Sequence, residues 1–206
     1  MESIYRKLTH RTYAFLLAVG MCAVASKLLY LAGFLLPNLE LVVPSLVVLG
    51  SVSLPFAPSR RAAWFTRYFG LLPLGGVFIV DLLCWGPNRI YLFTWSGFLF
   101  CWALAYLNRL SVFDRLSHLL WRTTLTAAAA IILFDVWTGL IGFPLLTGVS
   151  FTAALLGQIP FTLRHLLSLG FVPPLLLLGK LLVRVPVPVA VPLTQKTGQE
   201  VRTRER

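Results

Sequence analysis

Residues 133–167 read LFDVWTGLIGFPLLTGVSFTAALLGQIPFTLRHLL, an apolar stretch that contains charged and helix-breaking residues. Its Asp135 lies inside an apolar run, where an ionised carboxylate costs roughly 2.5–3.5 kcal/mol on membrane-insertion scales. We therefore expect Asp135 to face a protein interior, an aqueous cavity or a partner. The helix breakers that follow it are Gly139, Gly142, Pro144 and Gly148. Because irregular backbone at membrane depth survives only where it is buried in protein or lines a cavity, this stretch predicts a broken helix that forms a functional pocket.

The composition is typical of an integral membrane protein. Of the 206 residues, 58% are hydrophobic and only 12% are charged, and the mean hydropathy is +0.83. The apolar runs are long enough to cross a hydrocarbon core about 30 Å thick, which takes about 20 helical residues. In a soluble chain the net charge of +11 would favour nucleic acid. Here the position of the cations indicates topology instead, so we expect the lipid bilayer as a partner and no nucleic acid.

The sequence has no pattern typical of a catalytic or metal site. The three cysteines lie in apolar runs without a CxxC or Cys/His spacing, which argues against a disulfide framework or a zinc site. His10, His118 and His165 are scattered, and no acid, Ser or Cys stands at catalytic spacing from any of them. We therefore predict that the protein is not an enzyme and that it uses no metal and no cofactor.

Hydrophobic periodicity predicts an all-α membrane domain with six transmembrane helices and a short extra helix, at about 149–158, before the last one. The six spans cover about residues 12–36, 41–57, 66–85, 90–107, 122–142 and 162–183. Between the fourth and fifth spans, NRLSVFDRLSHLLWR has apolar residues at helical spacing with charges between them, which predicts a helix on the membrane surface. Residues 1–183 would form a single domain, and residues 184–206 a basic, Pro-containing tail that we expect to be disordered.

The lysines and arginines are distributed unevenly about these six spans. Only Arg89 and Arg164 fall on one side, Lys27 falls inside the first span, and the other cations fall on the side that holds both termini. Because cytoplasmic loops carry the excess of cations, we predict a multi-pass protein of the cell membrane with both termini cytoplasmic. The loops at about 37–40, 86–89 and 143–160 would then face outward.

Most of the remaining polar side chains fall in the outer half of this topology, where they are the predicted substrate-binding residues. They are Glu40, Asp81, Asp135, Gln158, Arg164 and His165. We add Lys27, because a cation inside a span needs a partner or a cavity. Asp135 and Arg164 are expected to line one pocket that residues 142–161 close as a lid.

The polar residues leave two questions open. The pair Arg164 and His165 would suit an anionic or acceptor-rich solute, whereas Asp81 and Asp135 would suit an amine. In the architectural alternative, the two acids instead pair with Lys27 or Arg164 and bind no ligand.

Three sequence features carry a resemblance to a known family. A Gly-rich fifth helix with Gly139 and Gly142 is followed by Gly-Gln-Ile-Pro-Phe at 157–161, the first helix contains the Ala-x-x-x-Ala spacing of Ala14 and Ala18, and a Pro-containing second span precedes a Gly-containing third. This pattern resembles the substrate-binding S components of energy-coupling factor (ECF) transporters, which are small six-helix vitamin-uptake proteins. The resemblance implies capture of a small solute on the outer side, and contact through Ala14 and Ala18 with a transmembrane T subunit that works with a pair of ATPases.

Two other classes of protein remain open at this stage. A structural or assembly membrane protein would bind no small molecule and would form a stable larger complex. A small intramembrane enzyme would need a catalytic dyad or a phosphate-binding motif, and neither is found in the sequence.

Overall fold

The computed structural model describes residues 2–32, 38–53, 68–108, 110–111 and 113–183. A π-helical segment, Val136–Gly142, and a 3₁₀ segment, Leu167–Phe171, each join two of the α-helices. Two short strands, β1 (Val52–Ser53) and β2 (Leu110–Ser111), pair in parallel. The α-helices are α1 (Glu2–Leu31), α2 (Asn38–Ser51), α3 (Leu71–Trp85), α4 (Tyr91–Leu107), α5 (Leu116–Asp135), α6 (Phe143–Thr147), α7 (Phe151–Leu166) and α8 (Val172–Val183).

Three helical stretches in the described part of the chain are long and apolar enough to cross a membrane. They are Lys7–Leu29, Leu116–Thr147 and Phe151–Val183, and the shorter apolar helices are Leu41–Ser51, Leu71–Trp85 and Tyr91–Leu107. Many large apolar side chains lie on the outside, among them Leu83, which is 81% exposed. The prediction of an all-α protein is confirmed, and this exposed apolar surface is what a membrane protein presents to lipid.

Helix α2 lies at the centre of the bundle. It contacts α1, α4, α5 and α8, and residues 42–51 are all buried. A helix that is apolar all round has to be covered by protein on every side. The neighbouring helices cover α2 in this way. Gly50 lets the backbones of α2 and α4 approach closely, because a Cβ at this position would lie 2.8 Å from the carbonyl oxygen of Trp102 on α4.

Helix α1 is held on two sides by similar close contacts. A Cβ on Gly20 would lie 2.6 Å from the Pro73 ring of α3, and a Cβ on Gly179 of α8 would lie 2.8 Å from the Phe15 ring of α1. Small residues let helices approach closely, and the van der Waals packing that results favours helix association in lipid.

The predicted break at residues 157–161 is wrong. Helix α7 continues through Pro160 to Leu166, and with the 3₁₀ segment and α8 it forms the single apolar stretch Phe151–Val183. A proline inside a membrane helix is tolerated where neighbouring groups satisfy the freed carbonyl. The actual break comes earlier, at Gly148, which adopts a left-handed conformation with φ 73° before Ser150 caps α7 by accepting from the Ala153 N–H. The extra helix and the sixth span are therefore continuous.

The predicted surface helix also differs from the structure. The chain forms β2 and then a turn in which Asp114 Oδ2 accepts from the Ser111 N–H at 3.1 Å, and α5 begins only at Leu116. An aspartate that bonds to nearby backbone favours a turn over a helix, which explains the difference. Some predictions lie outside the described residues, namely those on the tail 184–206, on the cations Arg60, Arg61, Arg67 and Arg109, and on the side chain of Glu40.

Candidate functional site

A buried acid–histidine pair joins α5 to α7. His165 Nδ1 lies 2.7 Å from Asp135 Oδ1, and the two residues are 3% and 1% exposed. A hydrogen bond between these two atoms joins the imidazole ring to the carboxyl group. The ring of Phe161 lies 4.4 Å from the imidazole, centroid to centroid, and the Phe134 ring meets it edge-on at 6.1 Å. His165 is therefore fixed by packing as well as by its hydrogen bond.

The second oxygen of Asp135 is the unusual feature of this pair. Oδ2 is buried and has no hydrogen-bond partner among the described residues. A buried polar atom in this state costs about 1–3 kcal/mol and calls for a physical explanation, such as an ion, a water molecule or a ligand group that binds there. Asp135 is also the last residue before the π-helical segment, and π-helical turns often occur at functional sites.

A pocket of about 230 Å³ lies beside Asp135, between the α5–π segment and α7. Its polar lining comes from Asp135, Gln158 and Thr162, and the remaining walls are apolar. Gln158 Nε2 donates to Thr162 Oγ1 at 3.3 Å. The absence of a side chain at Gly139 leaves room for Gln158, since a Cβ there would overlap with Gln158 Oε1.

A second buried ion pair joins α1 to α3. Lys27 Nζ lies 2.9 Å from Asp81 Oδ1, with the two side chains 5% and 3% exposed. The other carboxylate oxygen accepts from Trp95 Nε1 at 3.1 Å, and the Tyr91 hydroxyl donates to the Asp81 carbonyl at 3.3 Å. Both carboxylate oxygens of Asp81 are therefore satisfied, whereas Asp135 has a partner only on Oδ1.

Two aromatic rings lie between the two polar pairs. Lys27 Nζ is 5.9 Å from the centroid of the Phe98 ring, Phe98 stacks on Phe134 at 5.0 Å, and Phe134 contacts His165. Gly97 makes room for this stack, because a Cβ there would lie 2.8 Å from the Phe134 ring. The pairs are therefore connected through buried side chains, and the aromatic layer was not foreseen from the sequence.

The predicted site residues fall into three groups. Asp135 and Gln158 line the pocket and His165 holds Asp135, whereas Lys27 and Asp81 satisfy each other elsewhere in the bundle. The expected need of Lys27 for a partner is confirmed. Arg164 is exposed on α7 and does not line this pocket. The expected contribution of Arg164 to one pocket with Asp135 is therefore not seen.

The predicted partner surface on α1 is accessible. Ala14 is exposed and Ala18 is half-buried, and the neighbouring Leu17 and Met21 are 56% and 63% exposed. Within the described ranges, no three His, Cys, Asp or Glu side chains lie close enough together to hold a metal ion. What the Asp135 region can do chemically is accept a hydrogen bond or a positive charge in an apolar, water-poor setting.

No protein-family model, curated protein or solved structure matches this chain.

Proposed function

We propose that this protein is the membrane-embedded substrate-binding subunit of an ECF-type uptake transporter and captures a small solute on the outer side of the membrane. The main support is the state of Asp135, a carboxylate with an unsatisfied buried oxygen beside a pocket. Ligand pockets combine mostly apolar walls with a few fixed polar groups, and Gln158 and Thr162 supply such groups here. The sequence resemblance described above supports the transporter class.

The proposed topology has six membrane-embedded segments with both termini cytoplasmic. The cation asymmetry of the sequence supports this orientation. In it, the turn at Gly148 faces outward, and the α6–α7 hairpin closes over the pocket after the solute has entered. The hairpin is held to α5 by the Asp135–His165 pair, whereas its tip, residues 145–153, is exposed throughout, which suits an element that moves.

The experiment is to identify a bound solute and to remove its acceptor. Wild-type protein is purified from its native membrane and denatured, and the released small molecules are identified by mass spectrometry. Asp135→Asn should lower the amount of the enriched solute by on the order of tenfold, because a charge-assisted hydrogen bond contributes about 1.5–3 kcal/mol.

Asp114→Asn is the matched control, since Asp114 is 38% exposed in its side chain and lies outside this pocket. Gly139→Ala is a second probe, because its Cβ would displace the Gln158 side chain. Equal solute content in wild-type protein and in a folded Asp135→Asn variant would contradict the proposal.

A structural or assembly role is the second candidate function. It is favoured by the fact that Asp81, Lys27, Asp135 and His165 all have partners within the chain. Such pairs can fix one arrangement of helices without binding a ligand. This role predicts that no small molecule is enriched and that the protein is recovered in a stable complex without ATPases.

A further inference from the structure

A second pocket lies between α4 and α5, at the end of the bundle where α4 ends. Its volume is about 340 Å³, and it shares no lining residue with the pocket beside Asp135. Asn108 and Thr126 form its polar end, and the rest of its lining is apolar, consisting of Leu104, Leu107, Leu125 and Ala129. The pocket therefore has the shape and polarity of an amphiphile, with one polar end and an apolar groove.

The polar end holds an arginine in place. Arg122 Nη2 donates to Asn108 Oδ1 at 2.6 Å, Asn108 Nδ2 donates to Thr126 Oγ1, and Thr126 Oγ1 donates to the Arg122 carbonyl at 2.8 Å. A guanidinium carries five N–H donors, of which the bond to Asn108 uses one. Because Asn108 already orients the guanidinium, binding an anion there costs little side-chain entropy.

The pocket opens to the exposed surface of the helix bundle and is not enclosed within it. Leu107 and Leu125 are 77% and 50% exposed, and the neighbouring Trp121 is 65% exposed. Tryptophan is enriched where the hydrocarbon core meets the headgroups. We therefore expect Arg122, next to Trp121, to lie at the depth of the lipid phosphates. The apolar groove runs from there along α4 and α5.

We propose that this pocket binds an anionic phospholipid, with its phosphate on Arg122 and one acyl chain in the groove. Charge complementarity favours this occupant, because no acid lines the pocket. Asp114, the acid closest to Arg122 in the sequence, accepts from the Ser111 N–H through its carboxylate, and its backbone carbonyl accepts from Lys180 Nζ. Arginine binds phosphate through two parallel hydrogen bonds, and basic pockets between membrane helices are typical sites for anionic headgroups.

The test compares phosphatidylglycerol with phosphatidylcholine of the same acyl chains, added at equal concentration to the purified full-length protein. Native mass spectrometry gives the ratio of the two lipid-bound forms. We expect wild-type protein to favour phosphatidylglycerol, and Arg122→Gln to lower this ratio about fivefold, which is the effect of one cation near an anionic headgroup. Arg89→Gln is the control, because Arg89 is an exposed cation outside this pocket and should leave the ratio unchanged.

A second variant guards against misfolding. Ala129 is exposed and takes no part in the Arg122 network, so Ala129→Trp should fill the groove and reduce the amount of either bound lipid. Equal binding of both lipids by wild-type protein, or unchanged lipid binding in Ala129→Trp, would overturn the proposal. The proposal would also be overturned if wild-type protein showed no lipid preference and Ala129→Trp lost a co-purifying protein subunit. In that case the groove would bind a partner helix.

Discussion

Replacing Asp81 by asparagine is expected to destabilise the protein strongly, because the change leaves Lys27 as an unpaired buried charge. The two residues are 2% and 4% exposed, so water cannot replace the lost partner. Breaking a buried ion pair by removing one member typically costs about 3–5 kcal/mol. An asparagine would also present an N–H₂ group either to Lys27 Nζ or to Trp95 Nε1, both of which are donors. We therefore expect a loss near the upper end of this range.

The double variant Lys27→Met/Asp81→Asn separates the charge effect from the shape effect. It removes both charges, keeps an acceptor for Trp95 and leaves the asparagine N–H₂ group without a partner, which costs about 1–3 kcal/mol. The double variant should thus be more stable than Asp81→Asn alone. If the two changes were independent, their losses of stability would add and the double variant would be the less stable of the two.

Unfolding in mixed detergent micelles, followed by circular dichroism, measures these differences. Asp114→Asn is the comparison, because the exposed Asp114–His118 pair, at 3.9 Å, should contribute about 0–1 kcal/mol. The comparison also needs Lys27→Met alone. If the double variant loses as much stability as Asp81→Asn and Lys27→Met lose together, the two side chains are not coupled, and the structural role of the pair is refuted.

The remaining predictions concern close contacts, partner binding and topology. Gly50→Ala should lower the free energy of unfolding by about 1–3 kcal/mol, because its Cβ would lie 2.8 Å from a backbone oxygen. At Gly157 a Cβ would meet no atom within 4 Å. In the same unfolding assay, Gly157→Ala should therefore be neutral or stabilise the protein by about 0.5–1 kcal/mol. Ala14→Trp should abolish co-purification of a T subunit while leaving solute binding and fold intact; unchanged association would mean that this surface is not the contact. Single cysteines at Asn88 and Ser59, in a background without the native cysteines, should react with a membrane-impermeant reagent from outside and from inside respectively, and the opposite result would reverse the proposed orientation.

Local sequence signals located the helices better than their ends. The fourth span was predicted at 90–107 and is observed as Tyr91–Leu107, because Gly86 and Pro87 precede it and the polar Asn108 follows it. The second span was predicted to reach residue 57, but α2 ends at Ser51 and passes into β1. That end depends on pairing with β2, which lies almost 60 residues further along the chain. No local pattern could reveal this contact.

The pairing of polar residues was only partly predictable. Physical chemistry requires a partner for a buried Lys27, but whether that partner is Asp81 or Asp135 depends on how α1 and α3 pack. A break at Pro160, as the sequence predicts it, leaves open which of Arg164 and His165 faces Asp135.

Helical phase explains why His165, and not Arg164, lies next to Asp135. Eleven residues are about three turns of an α-helix. In an unbroken α7, the position eleven residues after the buried Ala154 is therefore His165, and Arg164 points about 100° away. Had the proline been treated as an interior residue, the buried histidine would have been predicted.

Affinity purification of the tagged protein from its native membrane tests the proposed function most directly. The surface around Ala14 and Ala18 is open on α1 and is where the resemblance places the T subunit. We predict recovery of one transmembrane T subunit together with a pair of ATPases, and their loss in Ala18→Trp. Repeated recovery of the intact protein without them, or with an envelope complex that lacks ATPases, would contradict the account.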